Sequence, residues 1–199
     1  MLIEITGIDG SGKSTLARAL FERARQEGVA TDLLEVLDPN SAITDLLRDA
    51  LDGKKDYDDP TMRLLFEAGK QERQAVLRSF PQDTLVFLDR YQFENVAYGA
   101  AAGTEAHWIR SLQQEQVPAD LTFHLDIDPT SHEWERRMSE RGKLDRFENV
   151  DYLVKVVDAY HMYYYLYDQP IVPLDATLPL DELVDLCWTV IEEERGNTA

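Results

Sequence analysis

Short apolar runs alternate with amphipathic stretches from one end of the chain to the other. Each apolar run is bounded by glycine, proline or polar residues, which is typical of a buried strand. The pattern predicts five strands, over residues 2–5, 31–37, 84–88, 121–127 and 171–174. Between them, apolar positions recur at helical spacing. They predict helices over residues 13–26, 42–51, 61–80, 91–102, 104–116, 129–141, 150–167 and 180–194.

This order of strands and helices predicts the fold class. Parallel strands need a crossover connection, and a helix usually supplies it. We therefore expect an α/β fold: a doubly wound, five-stranded parallel sheet flanked by helices. The chain shows no internal repeat and no low-complexity linker, so we expect a single domain over residues 1–199. Ligands on such sheets bind at the carboxyl ends of the strands.

The charge of the chain limits its partners. Acidic residues number 38 and basic residues 20, which gives a formal net charge of −18. We expect no nucleic-acid or membrane partner, because both are polyanions that this charge repels. No run approaches the roughly 18 apolar residues that cross a bilayer. The sequence begins without a secretory signal, and the single cysteine, Cys187, excludes an internal disulfide, so we expect a cytoplasmic protein.

A glycine-rich segment after the first predicted strand carries the clearest chemical signal. Residues 7–14 read Gly-Ile-Asp-Gly-Ser-Gly-Lys-Ser and match the pattern G-x-x-x-x-G-K-[ST]. Glycines let successive N–H groups point at phosphate oxygens, and the helix that follows adds its positive end. Lys13 supplies a cation for the β and γ phosphates, and the Ser14 hydroxyl is a ligand for Mg²⁺. The alternative is a glycine-rich turn with a surface lysine, but the position between strand and helix favours ATP binding.

The rest of the sequence narrows the kind of phosphate-binding protein. A signalling GTPase carries a downstream Asn-Lys-x-Asp motif, which is missing here. We therefore expect a kinase that acts on a small molecule.

The third predicted strand ends in a carboxylate and a guanidinium. Asp89 emerges at the carboxyl edge of the sheet, where it can hold Mg²⁺ directly or through water. Arg90 can form a bidentate fork on a phosphate, which lysine cannot. An ordinary surface ion pair at a strand end is the alternative.

Residues 135–148 contain five of the chain's 20 basic residues. A loop that carries these cations can close over the ATP phosphates and neutralise charge as the phosphoryl group transfers. Acidic residues are interleaved with the basic ones, so a solvated helix end is the alternative. The four histidines are dispersed, and we expect structural or solvated roles for them: His107, His124, His132 and His161.

Together and in this order, these motifs resemble the thymidylate kinase family over nearly the whole chain. Residues 7–15 are similar to its phosphate loop, and Leu64-Leu65-Phe66 to its Leu-Leu-Phe helix. Asp89-Arg90-Tyr91, followed by Ala97-Tyr98, resembles its most specific element. Residues 141–146 resemble the lid of the bacterial-type branch, which we place at about residues 137–149.

The resemblance implies transfer of the ATP γ-phosphoryl group to dTMP, which gives dTDP and ADP, with Mg²⁺ as cofactor. It implies that Arg90 grips the acceptor phosphate and that Phe66 stacks on the base. The implied catalytic residues are Lys13, Arg90, Asp9, Arg141 and Arg146. The implied ATP-binding residues are Gly7, Ile8, Asp9, Gly10, Ser11, Gly12, Lys13, Ser14, Thr15, Arg137 and Lys143. The implied acceptor-binding residues are Asp9, Asp38, Phe66, Lys70, Arg90, Asn95 and Tyr98, and the implied metal ligands are Ser14 and Asp89.

The chain departs from the family pattern in its acceptor pocket. Asp38-Pro39-Asn40 replaces a glycine turn, and Lys70 stands where many members place an arginine that reads the base. A kinase of another deoxynucleotide or of a nucleoside is therefore an alternative, as is a nucleotide-binding regulatory protein that has lost catalysis. The family also implies a homodimer.

Four tyrosines near the carboxyl end have helical spacing: Tyr160, Tyr163, Tyr164 and Tyr167. We expect them to share one helix face and to pack in the core or against a second subunit. Cys187 lies on an apolar predicted helix, where we expect it to be chemically inert.

Overall fold

The computed structural model describes residues 1–141 and 149–197. Its centre is a sheet of five strands: β1 (Leu2–Gly7), β2 (Thr31–Glu35), β3 (Leu85–Asp89), β4 (Leu121–Asp126) and β5 (Ile171–Asp175). All neighbours are parallel, in the order β2-β3-β1-β4-β5. The predicted five-stranded, doubly wound α/β fold is therefore confirmed.

Helices connect the strands and cover the sheet. They are α1 (Lys13–Gln26), α2 (Ala42–Leu51), α3 (Asp59–Glu72), α4 (Gln74–Leu77), α5 (Gln92–Ala101), α6 (Ala106–Ser111), α7 (His132–Arg141), α8 (Val150–Met162) and α9 (Leu180–Asn197). A single 3₁₀ turn, Tyr164–Leu166, follows α8. The bounds of α1 and α2 agree with the prediction to the residue.

Two of the predicted helices are interrupted or end well before their predicted boundary in the structure. The predicted helix over 61–80 breaks at Arg73, where the buried Gln74 side chain donates to the Lys70 carbonyl at 3.0 Å. The predicted helix over 104–116 ends at Ser111, because the Gln113 and Gln116 amides turn inward to buried partners. Tertiary hydrogen bonds thus outweigh helix periodicity at both places.

The tyrosine prediction needs correction, because α8 ends at Met162 and the four tyrosines do not share a helix face. Their rings nevertheless meet. Tyr160, Tyr164 and Tyr167 surround Phe93, with ring centroids 5.1, 5.5 and 4.9 Å from its own. The predicted core role therefore holds for these three rings, which converge from different backbone segments.

The main core lies between the sheet and the helices that include α1, α5 and α9. Ile3, Ile5 and Phe123 on the central strands are fully buried. Cys187 is also fully buried, and burial raises the pKa of its thiol to about 12. This keeps the thiol protonated, in line with the expected inert role. Burial likewise lowers the pKa of His124 to about 3, and its Nδ1 lies 2.6 Å from the Tyr164 hydroxyl.

One buried charge, Glu4, sits in the middle of the central strand. Burial raises the pKa of Glu4 from 4.5 to about 7, against the opposing effects of Lys70 and of backbone donors that include the Phe93 N–H. The Phe93 N–H donates to Glu4 Oε1 at 3.1 Å, at the beginning of α5. Glu4 thus links β1 to the helix that carries part of the site described below.

We predict that Glu4 makes stability fall with rising pH. Its folded pKa lies above its unfolded value, so between pH 4.5 and about 7 the folded protein binds more protons than the unfolded chain. Relative to Glu4→Gln, the free energy of unfolding should therefore fall by about 3 kcal/mol across this window. Urea unfolding at several pH values measures it, with the exposed Glu193→Gln as control. Parallel curves for wild type and Glu4→Gln would contradict the assignment.

Candidate active site

The glycine-rich loop joins the end of β1 to the beginning of α1. Gly7, Gly10 and Gly12 all have positive φ angles, of 143°, 81° and 103°. A side chain on Gly7 would also come within 2.5 Å of the Leu125 carbonyl oxygen. The loop therefore depends on glycine both for its backbone angles and for its close approach to β4. Its curled backbone ends at the amino terminus of α1, a favourable place for an anion.

Lys13 begins α1 and turns back over the loop. Its Nζ donates to the Ile8 carbonyl at 2.8 Å and lies 3.8 Å from Asp9 Oδ1. Ser14 and Thr15 are exposed on the same helical turn. These residues line a cavity of about 420 Å³. Its lining also includes Arg90, Leu125, Arg137, Ala176, Leu178, Leu180 and Leu183.

The amino-terminal part of the predicted lid, on α7, docks on the loop. Arg137 donates to the Ser11 carbonyl at 3.2 Å and to the Ala176 carbonyl at 2.8 Å. The Trp134 indole donates to the Asp9 carbonyl at 2.7 Å. These bonds place Arg137 at the cavity where the sequence predicted it. Lys143 and Arg146 lie outside the described residues, and the described part of Arg141 is its helical backbone.

Arg90 follows β3 and lies beside the loop. Register pairs Ile5 with Asp89, and the Arg90 N–H donates to the Ile5 carbonyl at 2.9 Å. Arg90 has φ 68°, the left-handed region that a residue with a side chain adopts at a cost. Its guanidinium forms ion pairs with the carboxylates of Asp9 and Glu94. The backbone thus aims this side chain across the end of β1.

A second cavity, of about 450 Å³, opens on the other side of Arg90. Its lining brings together Phe66, Lys70, Asn95 and Tyr98, all of which the family resemblance implies at the acceptor. The remaining lining residues are Asp9, Glu35, Val36, Leu37, Leu51, Arg63, Asp89, Arg90, Tyr91 and Glu94. The two cavities share Asp9 and Arg90, so these two residues stand where two ligands would meet.

Asp38 is the predicted acceptor residue that the structure places elsewhere. It does not line the second cavity, and its carboxylate lies 3.6 Å from Arg73 and accepts the Asn40 N–H at 2.9 Å. The Asp-Pro-Asn turn thus ties Asp38 to its own loop and to the end of α3.

Sequence reasoning missed three side chains around the two cavities. Glu94 stands four residues after Arg90 on α5, a spacing that itself signals an ion pair. Arg63 lies four residues after Asp59 on α3, and their side chains pair at 2.9 Å. The position of Trp134 in the sequence indicates only an apolar core residue, so no local pattern predicts its hydrogen bond to the loop.

The residues present fit a magnesium ion that arrives with a nucleotide. Among residues 1–141 and 149–197, no group of three or more His, Cys, Asp or Glu could hold a metal alone. Mg²⁺ commonly uses one or two protein oxygens together with substrate phosphates and waters. The exposed Ser14 lines the first cavity, and Asp89 lines the second. Asp89 Oδ1 is buried with no hydrogen-bond partner in the described part of the chain, as a ligand to a metal or its water would be.

A doubly wound sheet, a phosphate loop and a second cavity across Arg90 define a P-loop kinase of the nucleoside monophosphate kinase class. A family model described as thymidylate kinase matches residues 5–186. The chain belongs to the thymidylate kinase family, whose members phosphorylate dTMP with ATP.

Individual relatives agree with this assignment. A probable thymidylate kinase of Archaeoglobus fulgidus is 31% identical over 193 residues, which cover 96% of this chain and 95% of the relative. A probable thymidylate kinase of Methanocaldococcus jannaschii is 31% identical over 161 residues, or 80% and 79% of the two chains. The solved thymidylate kinase of Candida albicans shares the fold, with a TM-score of 0.81 at 23% identity over 98% of this chain and 92% of that one.

Proposed function

We propose that this chain transfers the γ-phosphoryl group of ATP to dTMP and releases dTDP and ADP. The observation that carries the proposal is the meeting of the two cavities at Asp9 and Arg90. One cavity has the phosphate loop as its wall, and the other has an aromatic ring and polar side chains suited to a base. A phosphate nucleophile is already ionised, so the protein's task is to position the two ligands and neutralise charge.

On the donor side, the loop amides and Lys13 hold the β and γ phosphates. Arg137, which donates to the Ser11 carbonyl, adds a second cation at this end of the cavity. Leu178 and Leu180 give the cavity an apolar end against which the adenine ring packs. Arg141, Lys143 and Arg146, in a lid at about residues 137–149, neutralise the remaining charge on the ATP phosphates. The whole chain, residues 1–199, forms one domain in this proposal.

On the acceptor side, Arg90 binds the dTMP phosphate and Phe66 stacks on the base. Tyr98 lies against the sugar and disfavours a ribose 2′-hydroxyl, and Asp9 holds Arg90 in place. Ser14 and Asp89 would hold Mg²⁺. When bound, this ion neutralises charge that develops on the phosphate oxygens.

A coupled ADP-release assay tests the proposal. With dTMP, dUMP, dCMP, dGMP and thymidine as acceptors, dTMP should give the highest kcat/KM. A higher value for thymidine would favour a nucleoside kinase. This alternative is worth testing because Arg90, the proposed ligand of the acceptor phosphate, already pairs with two carboxylates. ATP binding without turnover on any acceptor would indicate a regulatory protein instead.

One expectation about partners accompanies the proposal. We propose a homodimer, which sedimentation at several concentrations tests. Within residues 1–141 and 149–197, no helix is both long enough and apolar enough to span a membrane.

A further inference from the structure

Behind the wall of the second cavity, a buried carboxylate accepts hydrogen bonds from four side-chain donors. Glu67, on α3, is 4% exposed and does not line the cavity. Its Oε1 accepts from Lys70 Nζ at 3.1 Å, Asn95 Nδ2 at 2.6 Å and Gln113 Nε2 at 2.9 Å. Its Oε2 accepts from Gln116 Nε2 at 2.7 Å. Two of these donors, Lys70 and Asn95, belong to side chains that line the cavity, so Glu67 touches both from behind.

The hydrogen bonds of Asn95 leave it a single way to contact a ligand. Both amide hydrogens have acceptors, one on Glu67 Oε1 and one on the Arg63 carbonyl at 3.2 Å. Its Oδ1 accepts from Arg63 Nη1 at 2.9 Å. A carbonyl oxygen has two lone pairs, so Oδ1 keeps capacity for one more donor. Asn95 can therefore offer a bound base an acceptor but not a donor.

The same carboxylate holds Lys70, which supplies a donor where Asn95 supplies an acceptor. A lysine ammonium is a point charge on a flexible stem, so by itself it positions a ligand less well than an arginine fork does. Here the side chain is 7% exposed, and Glu67, one helical turn earlier, fixes its ammonium at 3.1 Å. An ammonium has three hydrogens, and the bond to Glu67 uses only one of them. Lys70, which lines the cavity, thus keeps two hydrogens for a ligand on an ammonium held at a fixed place.

We propose that Glu67 is a positioning residue for base selection, acting through Asn95 and Lys70; this inference rests on the proposed function. Asn95 and Lys70 bond the same Glu67 oxygen and line the cavity, and they present an acceptor and a donor to it. Thymine and uracil match it with N3–H and O4. Cytosine presents the reverse, an acceptor at N3 and an amino group at C4, and would leave buried polar groups unpaired. Glu67, together with the two hydrogen bonds to Arg63, prevents the Asn95 amide from turning to accommodate cytosine. Glu67 alone ties Asn95 to Lys70.

The test compares three variants by their ratio of kcat/KM for dTMP to that for dCMP. Glu67→Met removes the acceptor that fixes Asn95 and Lys70, and the ratio should fall at least about tenfold, with dTMP losing more than dCMP. Glu67→Gln keeps a carbonyl oxygen toward both side chains and should restore the ratio. Gln116→Met alters the same buried network without touching Asn95 or Lys70, and should leave the ratio unchanged. A purely structural role for Glu67 would lower both activities alike.

The outcomes separate this inference from the proposed function. If wild type does not favour dTMP, the proposed function fails. If it does, and folded Glu67→Met keeps the wild-type ratio, only the role of Glu67 is overturned.

A substrate analogue keeps the test independent of variant folding. In N3-methyl-dUMP a methyl group replaces the N3 hydrogen while O4 stays a carbonyl, so Asn95 Oδ1 loses its donor. Wild type should use this analogue roughly tenfold less well than dUMP, or worse. Equal kcat/KM values for the two would overturn the inference, because the acceptor that Glu67 is proposed to hold would then not be read.

Discussion

Replacing Lys13 by alanine should lower kcat by about a hundred- to a thousandfold, the usual effect of deleting one group that stabilises charge in a transition state. The Lys13 ammonium is held in the loop by the Ile8 carbonyl at 2.8 Å, beside the place where the phosphates bind. The fold should persist, because Asp9 keeps its ion pair with Arg90 when Lys13 is removed. Steady-state ADP release and thermal unfolding measure the two effects.

The matched control for this variant is Lys155→Ala. Lys155 is an exposed lysine on α8, outside both cavities. Its removal changes the net charge equally but should leave kcat unaltered. A Lys13→Ala enzyme with nearly normal kcat would show that the loop lysine does not act on the transferring group.

Removing the Arg90 side chain should lower kcat/KM for dTMP by about a hundredfold or more, because the acceptor phosphate loses its bidentate cation. Arg90→Lys keeps the charge but not the fork, so it should recover only part of this loss. Kinetics with varied dTMP at saturating ATP measure the effect. Unchanged values would mean that the acceptor phosphate is held elsewhere.

A second pair of variants separates the chemistry of Arg90 from its backbone. Arg90→Ala and Arg90→Gly delete the same ion pairs, but only glycine adopts φ 68° without strain. Both should lose activity, and Arg90→Gly should be more stable than Arg90→Ala by about 1 kcal/mol. Urea unfolding compares them. Equal stability would show that the left-handed backbone at this position stores no strain.

The parts of the site that the sequence predicted are those built from consecutive residues. The phosphate loop is one example, because its glycines, its lysine and the first turn of α1 follow each other directly. Asp89 and Arg90 are another, because parallel strands bring their carboxyl ends to one edge and thereby place the end of β3 beside the end of β1. Periodicity likewise found α1 and α2, whose faces are set by local spacing.

Most side-chain partners of the predicted residues could not be predicted from the sequence. The resemblance named Lys70 and Asn95 as acceptor residues. The spacing of Glu67 and Lys70 on α3 is that of an ion pair, but nothing local indicated that Glu67 also holds Asn95, 28 residues away. Gln113 and Gln116 looked like helical surface residues, whereas their amides bond Glu67 across 46 and 49 residues of chain. Asp38 looked available to the acceptor and is instead paired with Arg73.

By itself, the sequence determined the order of the elements, the phosphate loop and the family, because these depend on residue types at short, fixed spacings. Tertiary structure alone decided where two cavities meet, which carboxylates pair with Arg90, and which way the Asn95 amide faces. These features depend on buried polar groups that must find partners wherever the fold brings them. Such partners lie far apart along the chain, as with Trp134 and Asp9, which are separated by 125 residues.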